Sequence, residues 1–363
     1  MDRKTALLQI WAAKGIGMKR MDRVMEICGE DPSMIFRQGP DYVAEHTGLS
    51  TDVVGEIFSD ASRDSAETIR SQIDRYNIKM MVKNDVDYPS SLNDLDNPPS
   101  ILFAEGCVSH FPKKMLAIVG SRTPSAESVA IAQRFSAFLS QNRIGVVSGF
   151  ARGIDHAAHQ TAMQTGSGST AAILGSGLRT LYPAEYSGFA QKLKQTGVLL
   201  SEFGLFENAK PQYFPLRNRL IAGLSDAVLV IEASEKSGSL ITADHALKLG
   251  KEVFVIPMNP RRSTEGSNRL IKDGAVCVTQ PEEIFQHLRW EYDSPADKAD
   301  FCDNPILSLF SENAVLSAEE ILNEVLMGVS DLISVLGRME AEGLIIAHPG
   351  QRWSLNYAEV VKS

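Results

Sequence analysis

The sequence has few cysteines and none in a paired arrangement. Its 363 residues include only four, which lie far apart: Cys28, Cys107, Cys277 and Cys302. No two of them have Cys-x-x-Cys spacing, and no histidine lies near them at metal-ligand spacing. A disulfide framework and a Cys/His zinc site are therefore not expected. Scattered free cysteines are typical of a reducing compartment, so we expect a cytoplasmic protein.

Long apolar runs are also missing. No segment approaches the ~20 residues that a membrane-spanning helix needs, and the residues after Met1 are too mixed for a secretory signal. We therefore expect no membrane partner. Hydrophobic residues still make up 44% of the chain, which is enough for two or three domains with their own cores.

The motifs of nucleotide-dependent enzymes are absent. There is no Gly-x-x-x-x-Gly-Lys-Ser/Thr sequence, so a P-loop is excluded. The first strand-to-helix turn reads Gly120-Ser121-Arg122 instead of Gly-x-Gly-x-x-Gly, and no ribose-binding acid ends the second strand. We therefore expect no cofactor.

Few residues could support catalysis or hold a metal. His156 and His159 lie three apart on one helix beside Asp155, but no third ligand is evident, so helix packing or capping is favoured over a metal site. Glu202 and Glu232, at the ends of strands, are the only plausible acid–base pair. No nucleophile–base pair is evident, and we expect no catalytic residue.

Acidic residues exceed basic ones, but unevenly. The net charge is −9, and residues 291–363 alone, with 13 acidic and 4 basic side chains, carry a charge of −9. Residues 81–290 form the only net positive block, with 21 basic and 19 acidic side chains. Overall charge therefore does not exclude a polyanionic ligand at a locally positive site.

The middle of the chain alternates short apolar runs with segments of helical length. Runs bounded by helices and apolar on both faces are typical of a parallel sheet covered on both sides. The fold class we predict is α/β, with an extended Rossmann-like parallel sheet whose ligand lies beyond the carboxyl ends of the strands. The predicted strands are 116–119, 145–148, 170–174, 198–201, 227–231, 253–256 and 275–278.

The two ends of the chain differ from this middle block. Residues 1–75 are predicted to form a small all-α domain, and residues 76–290 the Rossmann-like domain, entered through an extended connector over 85–106. An acidic linker over 291–304 leads to a C-terminal domain, 305–363. Three helical segments followed by a hairpin around Pro349-Gly350 predict a winged helix there.

The charges of the flanking domains limit what they bind. Gly15-Ile16-Gly17 between two helices resembles a helix–hairpin–helix that could hold a DNA phosphate, but a net charge of −2 over residues 1–80 favours a glycine turn in a helical interaction module. In the winged helix, segment 330–343 has Arg338 as its only cation. A protein-docking module is favoured there over a reader of duplex DNA.

Four glycine- and hydroxyl-rich loops follow strands and start helices: 120–122, 148–155, 237–242 and 265–268. Glycines allow close approach to a ligand, and helix N-termini attract anions. Such loops predict a site for several phosphates, or a groove along a nucleic-acid backbone. Segment 213–219 adds arginines interleaved with aromatic residues, the combination that unstacked bases and their phosphates require, although core packing and surface ion pairs explain it equally well.

Together these motifs resemble one family. Gly120-Ser121-Arg122, segment 148–155, Tyr182-Pro183, segment 214–219 and segment 237–243 occur in the same order as in the DNA-processing protein A (DprA, or Smf) family. The resemblance covers roughly residues 85–285. The flanks resemble those of longer members, which have an N-terminal sterile-alpha-motif-like domain and a C-terminal winged helix. Phe150 and Met258 depart from the family pattern.

The resemblance implies a dimeric bacterial protein that binds and protects incoming single-stranded DNA and loads the RecA recombinase onto it during natural transformation. Carried over by motif, the DNA-binding residues are Arg122, Ser148, Gly149, Arg152, Gly153, Lys210, Phe214, Arg217, Asn218, Arg219, Ser237, Gly238 and Ser239. The alternative is an enzyme similar to Rossmann-fold nucleotide phosphoribohydrolases, which would use Glu202 or Glu232.

Overall fold

The computed structural model describes residues 1–29, 31–108, 112–165, 169–292, 305–312, 315–325 and 327–356. The predicted acidic linker over 291–304 lies almost entirely outside these residues. No helix within them is long and apolar enough to cross a membrane.

The N-terminal segment is helical, as predicted. Asp2 caps the first helix, since its carboxylate accepts the backbone N–H groups of Lys4 and Thr5, both at 3.1 Å. The fourth helix ends where Gly48 takes a left-handed conformation with φ of 64°. The six helices are α1 (Arg3–Ala12), α2 (Met18–Cys28), α3 (Met34–Gln38), α4 (Pro40–Thr47), α5 (Thr51–Ile57) and α6 (Asp60–Arg75).

A nine-stranded sheet follows. Its strands are β1 (Lys79–Val82), β2 (Ile101–Gly106), β3 (Met115–Gly120), β4 (Gly145–Ser148), β5 (Thr170–Ile173), β6 (Val198–Ser201), β7 (Ala227–Ile231), β8 (Glu252–Val255) and β9 (Val276–Cys277). They lie in the order β1-β2-β6-β5-β4-β3-β7-β8-β9. Strands β3 to β9 are parallel, whereas β1 and β2 add an antiparallel edge. The predicted α/β class with a mostly parallel sheet is confirmed.

The segment predicted as an extended connector, 85–106, is extended at its C-terminal end, but there it belongs to the sheet itself. Residues Ile101–Gly106 are strand β2, in which Phe103 pairs with Ser201 of β6. This pairing joins segments about a hundred residues apart, so no local pattern indicates it. The remainder of the connector includes a 3-10 helix, Ser90–Asp94.

Helices cover both faces of the sheet, because consecutive residues of its strands are apolar and successive side chains point to opposite faces. In β3, Leu116 and Ile118 pack in the core of one face, and Ala117 and Val119 in that of the other. The covering helices are α7 (Ala126–Gln141), α8 (Ile154–Gln164), α9 (Ser187–Thr196), α10 (Tyr213–Leu224), α11 (Gly238–Lys248), α12 (Glu265–Lys272) and α13 (Pro281–Leu288).

The N-terminal helices share a hydrophobic core with the sheet. Leu7 and Ile10 of α1 belong to the same buried cluster as Phe103 of β2 and Leu174. Trp11 packs edge-on against Phe103, with ring centroids 5.7 Å apart. The helices are therefore held against one flank of the sheet, although the division into domains at residue 75 stays a prediction.

The C-terminal segment has a core of its own, which includes Phe310, Leu332, Leu336 and Trp353. Its elements are α14 (Pro305–Glu312), β10 (Leu316–Ser317), α15 (Ala318–Glu324), α16 (Val329–Ala341), β11 (Ile345–His348) and β12 (Arg352–Leu355). The three strands form a small antiparallel sheet in the order β10-β12-β11. This order of elements fits a winged helix, which stays a prediction for this segment.

Candidate functional site

The main cleft lies where the strand order reverses. Strand β3 has β4 on one side and β7 on the other, so the connections that leave β3 and β7 separate at this point. The loops after β3, β4 and β7 and the start of α10 enclose a cleft of about 640 Å³. Its lining residues are Val119, Gly120, Arg122, Ala151, Asp155, Tyr182, Pro211, Phe214, Pro215, Arg217, Asn218, Ile221, Lys236, Ser237, Gly238, Ser239, Ile241 and Thr242.

The structure brings most of the residues predicted from sequence to this region. Seven of them line the cleft: Arg122, Phe214, Arg217, Asn218, Ser237, Gly238 and Ser239. Gly149 and Arg152 line a small adjoining recess that shares Arg122 and Phe214 with the cleft. The remaining four line neither: Ser148, Gly153, Lys210 and Arg219.

Arg217 and Asp155 hold the loop after β4 from inside. The Arg217 guanidinium, only 3% exposed, donates to the carbonyl oxygens of Gly149, at 2.5 Å, and of Ile173. The Asp155 carboxylate accepts the backbone N–H groups of Gly149, at 3.1 Å, and Ala151, at 3.3 Å. Burial lowers the pKa of Arg217 to about 10 and raises that of Asp155, while each charge opposes the other's shift.

Gly149 is required between these two charged groups. A Cβ at this position would lie 2.7 Å from both the Arg217 guanidinium and the Asp155 carboxylate. Ser148 is also structural, since its buried hydroxyl donates to the carbonyl oxygen of Ile118 at 2.6 Å. At the end of the loop Gly153, with φ of 78°, adopts a conformation that favours glycine.

Phe150, one of the departures from the family pattern, is an interior residue. It has a positive φ of 56° and is 1% exposed. Its ring packs against those of Tyr186 and Phe189, with centroids 5.9 Å away in both cases. Met258, the other departure, has no positive φ, so its loop does not require the backbone angles of glycine.

Arg219 also points into the protein. It is 7% exposed and forms a salt bridge with Glu202, whose side chain is 7% exposed. A buried arginine with its own carboxylate partner is a structural group, because exposing the charge would require breaking the pair. Helix α10 thus contributes one face to the cleft and the opposite face to the interior.

Only some of the exposed cations near the cleft are free. Arg152 pairs with Glu185, and Lys210 donates to the carboxylate of Glu207 at 2.5 Å. By contrast, Arg122 and Lys236 are exposed and have no salt bridge in the part of the chain that the structure describes. These two side chains carry the available positive charge of the cleft.

Aromatic rings lie beside this charge. The Arg122 guanidinium lies over the Phe214 ring, 5.3 Å from its centroid, and Tyr182 packs against the same ring at a tilt, with a centroid distance of 5.5 Å. A Cβ on Gly175 would come within 2.8 Å of Phe214, so this glycine makes room for the ring. Tyr182 is 43% exposed and therefore offers a face to a ligand.

The N-terminus of α11 completes the cleft. Its N-cap, Ser237, accepts the Ser239 backbone N–H at 3.4 Å, and the two hydroxyls are 2.7 Å apart. The Asn218 side-chain amide donates to the carbonyl oxygen of Gly238 at 2.9 Å and ties this turn to α10. A Cβ on Gly238 would meet nothing within 4 Å, so the turn is open. An open helix N-terminus of this kind favours an anion.

The fourth predicted loop, 265–268, does not line the cleft. The Ser267 backbone N–H donates to the Ala233 carbonyl oxygen at 2.9 Å, and a Cβ on Gly266 would lie 2.4 Å from that of Ser234. The loop is thus packed behind the cleft.

Sequence reasoning missed Lys236 and Tyr182 as site residues. The position of Lys236, directly before the Ser237 turn, was the available signal.

Both glutamates considered for acid–base work are already engaged. Glu202 pairs with Arg219, and Glu232 accepts the Ser125 backbone N–H at 2.8 Å and the Ser128 hydroxyl at 2.5 Å. His159 is buried, with Nδ1 2.6 Å from the Thr170 hydroxyl. The cleft therefore presents cations, hydroxyls, aromatic faces and a helix N-terminus, which can hold an anionic, aromatic ligand.

Comparison with known proteins agrees with this arrangement. The family model described as DNA recombination-mediator protein A matches residues 79–289. The protein Smf of Escherichia coli K12 is 35% identical over 323 residues, 85% of each chain. The DNA processing protein DprA of Streptococcus pneumoniae R6 is 38% identical over 206 residues, 56% of this chain and 72% of the relative.

Solved structures give the same result. The X-ray structure of DprA from Streptococcus pneumoniae superposes with a TM-score of 0.69 at 28% identity, covering 81% of this chain and all of the other. DprA from Helicobacter pylori, whose structure is described as showing a single-stranded DNA binding mode, superposes with a TM-score of 0.54 at 28% identity, covering 60% of this chain and 98% of the other. The chain belongs to the DNA recombination-mediator protein A family, the family of DprA and Smf.

Proposed function

We propose that this protein binds single-stranded DNA in the cleft at the carboxyl ends of β3, β4 and β7. The observation that carries the proposal is that Arg122 and Lys236, which form no salt bridge within the described residues, line the same open cleft as the rings of Phe214 and Tyr182. Cations that follow the backbone, with aromatic platforms beside them, match the requirements of an unpaired strand, whose bases are free to stack.

Each group has a role in this arrangement. Arg122, Lys236 and the N-terminus of α11 at Gly238 hold phosphates, while Phe214 and Tyr182 stack on bases. The buried Arg217 acts from behind the surface, since it holds the loop that carries Gly149 and Arg152. Arg152 and Lys210 join the interface only when a phosphate competes with their present carboxylate partners.

The wider role we propose is that of a recombination mediator. The family relationship supports a protein that holds and protects incoming single strands, and loads a RecA-type recombinase onto them in natural transformation. A homodimer working in the cytoplasm fits that role. We propose no covalent step. The phosphoribohydrolase alternative finds little support, because Glu202 and Glu232 are both used in internal contacts.

The test is a binding comparison between single-stranded and duplex DNA. Fluorescence anisotropy of a labelled oligo-dT and of a duplex of the same length is measured across a salt series. For single strands, each phosphate contact contributes about 0.7 to the slope of log affinity against log salt. We expect Arg122→Gln and Lys236→Gln each to lower the slope by about this amount and to weaken binding.

Matched controls are two exposed cations that do not line the cleft. Arg143, exposed before β4, and Lys192, exposed on α9, are changed to glutamine in the same way. These controls should leave the affinity and the slope unchanged. Equal binding of duplex, or an Arg122→Gln/Lys236→Gln variant with wild-type affinity for oligo-dT, contradicts the proposal.

A further inference from the structure

A second pocket lies between the N-terminal helices and the sheet. It has a volume of about 290 Å³, which suits one planar group. Residues from α1, α2, the 98–101 segment, the end of β6 and the start of α10 line it, among them Trp11, Gly17, Asp22, Glu202, Phe203 and Tyr213. None of these residues lines the main cleft.

The lining combines aromatic rings with carboxylates. Phe203 and Tyr213 stack with ring centroids 4.2 Å apart, and Trp11 lies on the helical side. Asp22 is half-buried and forms no salt bridge within the described residues. Burial raises the pKa of Asp22. Rings beside carboxylates suit a flat ligand that carries hydrogen-bond donors.

Glu202 supplies a second, independent indication of such a ligand. One of its carboxylate oxygens, Oε2, accepts from Arg219, whereas Oε1 is buried and has no hydrogen-bond partner among the residues that the structure describes. The side chain is only 7% exposed. A buried acceptor without a donor is unfavourable, so the pocket attracts a group that brings N–H donors.

The pocket and the main cleft lie on two sides of the same helix start. Tyr213 and Leu216 line the pocket, whereas Phe214 and Pro215, between them in sequence, line the cleft. A strand in the cleft therefore needs only to cross the first turn of α10 to reach the pocket. Lys210, which is paired with Glu207, donates to the Tyr213 hydroxyl at 3.0 Å, so this ion pair lies at the crossing.

The other side of the pocket is also suited to a phosphate. Gly17, the N-cap of α2, lines the pocket and offers no side chain to the first N–H groups of that eleven-residue helix. One nucleotide thus finds carboxylate acceptors and rings for its base, and positive features for its phosphates.

We propose that this pocket is a nucleobase subsite of the DNA-binding surface, selective for the exocyclic amino group of cytosine or adenine over thymine, which has none. The inference rests on the proposed binding of single-stranded DNA. Carboxylates accept hydrogen bonds from the amino group of cytosine, whereas thymine presents a carbonyl oxygen at the same place. A partner protein's arginine or lysine is the competing occupant, since it also brings N–H donors to carboxylates.

The experiment uses the full chain with oligo-dC and oligo-dT of equal length. Anisotropy measures total binding, and the tryptophan emission of Trp11 reports occupancy of the pocket. We expect oligo-dC to bind about tenfold more tightly than oligo-dT, and to quench emission in the wild type but not in Trp11→Phe. Asp22→Asn should reduce the preference to about twofold or less.

Controls separate this subsite from the cleft. Asp64→Asn, an exposed change on α6, should keep the full preference. Equal affinity for the two strands with unchanged Trp11 emission, while binding still depends on Arg122, overturns the subsite and leaves the cleft proposal standing. Quenching by an arginine-rich peptide but not by oligo-dC also overturns it. If the wild-type protein binds neither oligo-dC nor oligo-dT, the proposed function itself is refuted.

Discussion

Replacement of the buried Arg217 by methionine provides the sharpest test of how the candidate site is built. The change removes hydrogen bonds to the carbonyl oxygens of Gly149 and Ile173, and leaves the Asp155 carboxylate without its opposing charge in the interior. Removal of one partner from a buried charge pair costs about 3–5 kcal/mol. We therefore expect Arg217→Met to lower the free energy of unfolding by about that amount.

Urea denaturation followed by circular dichroism measures this free energy. Arg122→Met in the exposed part of the same cleft removes an identical charge without buried partners, and should cost less than about 0.5 kcal/mol. Arg217 supplies a charge that offsets the cost of burying the Asp155 carboxylate. The double variant Arg217→Met/Asp155→Asn should therefore recover at least about 1 kcal/mol relative to the sum of the single changes. A loss below about 1 kcal/mol for Arg217→Met, or simple additivity, would show that the pair does not hold the loop.

Two further predictions concern His159 and the C-terminal segment. Burial lowers the pKa of His159 to about 3, from an ordinary value of 6.5. As the pH falls below 6.5, His159 therefore takes up a proton in the unfolded chain but stays neutral in the folded chain, and the free energy of unfolding decreases. His159→Gln should remove up to about 1.4 kcal/mol per pH unit of this loss between roughly pH 6.5 and 5, and an unchanged pH profile of urea midpoints would refute the assignment. A chain that ends at residue 292 should retain oligo-dT affinity within about twofold, because the cleft lies within residues 119–242 and the C-terminal core is separate. A tenfold loss of affinity, measured by anisotropy, would place part of the interface in the removed segment.

The central sheet was accessible from sequence because its signals are local. Each of the seven predicted strands corresponds to one of β3 to β9, since short runs such as 227–231 are apolar on both faces and are bounded by turns. Strands β1 and β2 were not predicted. They form an antiparallel edge in which β2 pairs with β6, about a hundred residues away in the sequence. The spacing of hydrophobic residues along the chain does not indicate such a long-range contact.

The site was predictable in its general location but not in the state of each charge. Glycine turns at Gly149 and Gly238 and the position of Phe214 follow from motifs, so the cleft could be placed at the ends of the strands. Lys236 was overlooked, because its one signal is its position before the Ser237 turn, and ordinary surface lysines also occupy such positions.

The sequence by itself determined the α/β architecture, the family and the loops that meet at the switch point, because these depend on local spacing and on motif order. Only the tertiary structure decided which arginines are free. Arg152 and Arg219 were both predicted to bind DNA. Their carboxylate partners, Glu185 and Glu202, lie 33 and 17 residues away in the sequence and meet them only in the fold. Arg122 remains available because folding places an aromatic ring, and no carboxylate within the described residues, beside its guanidinium.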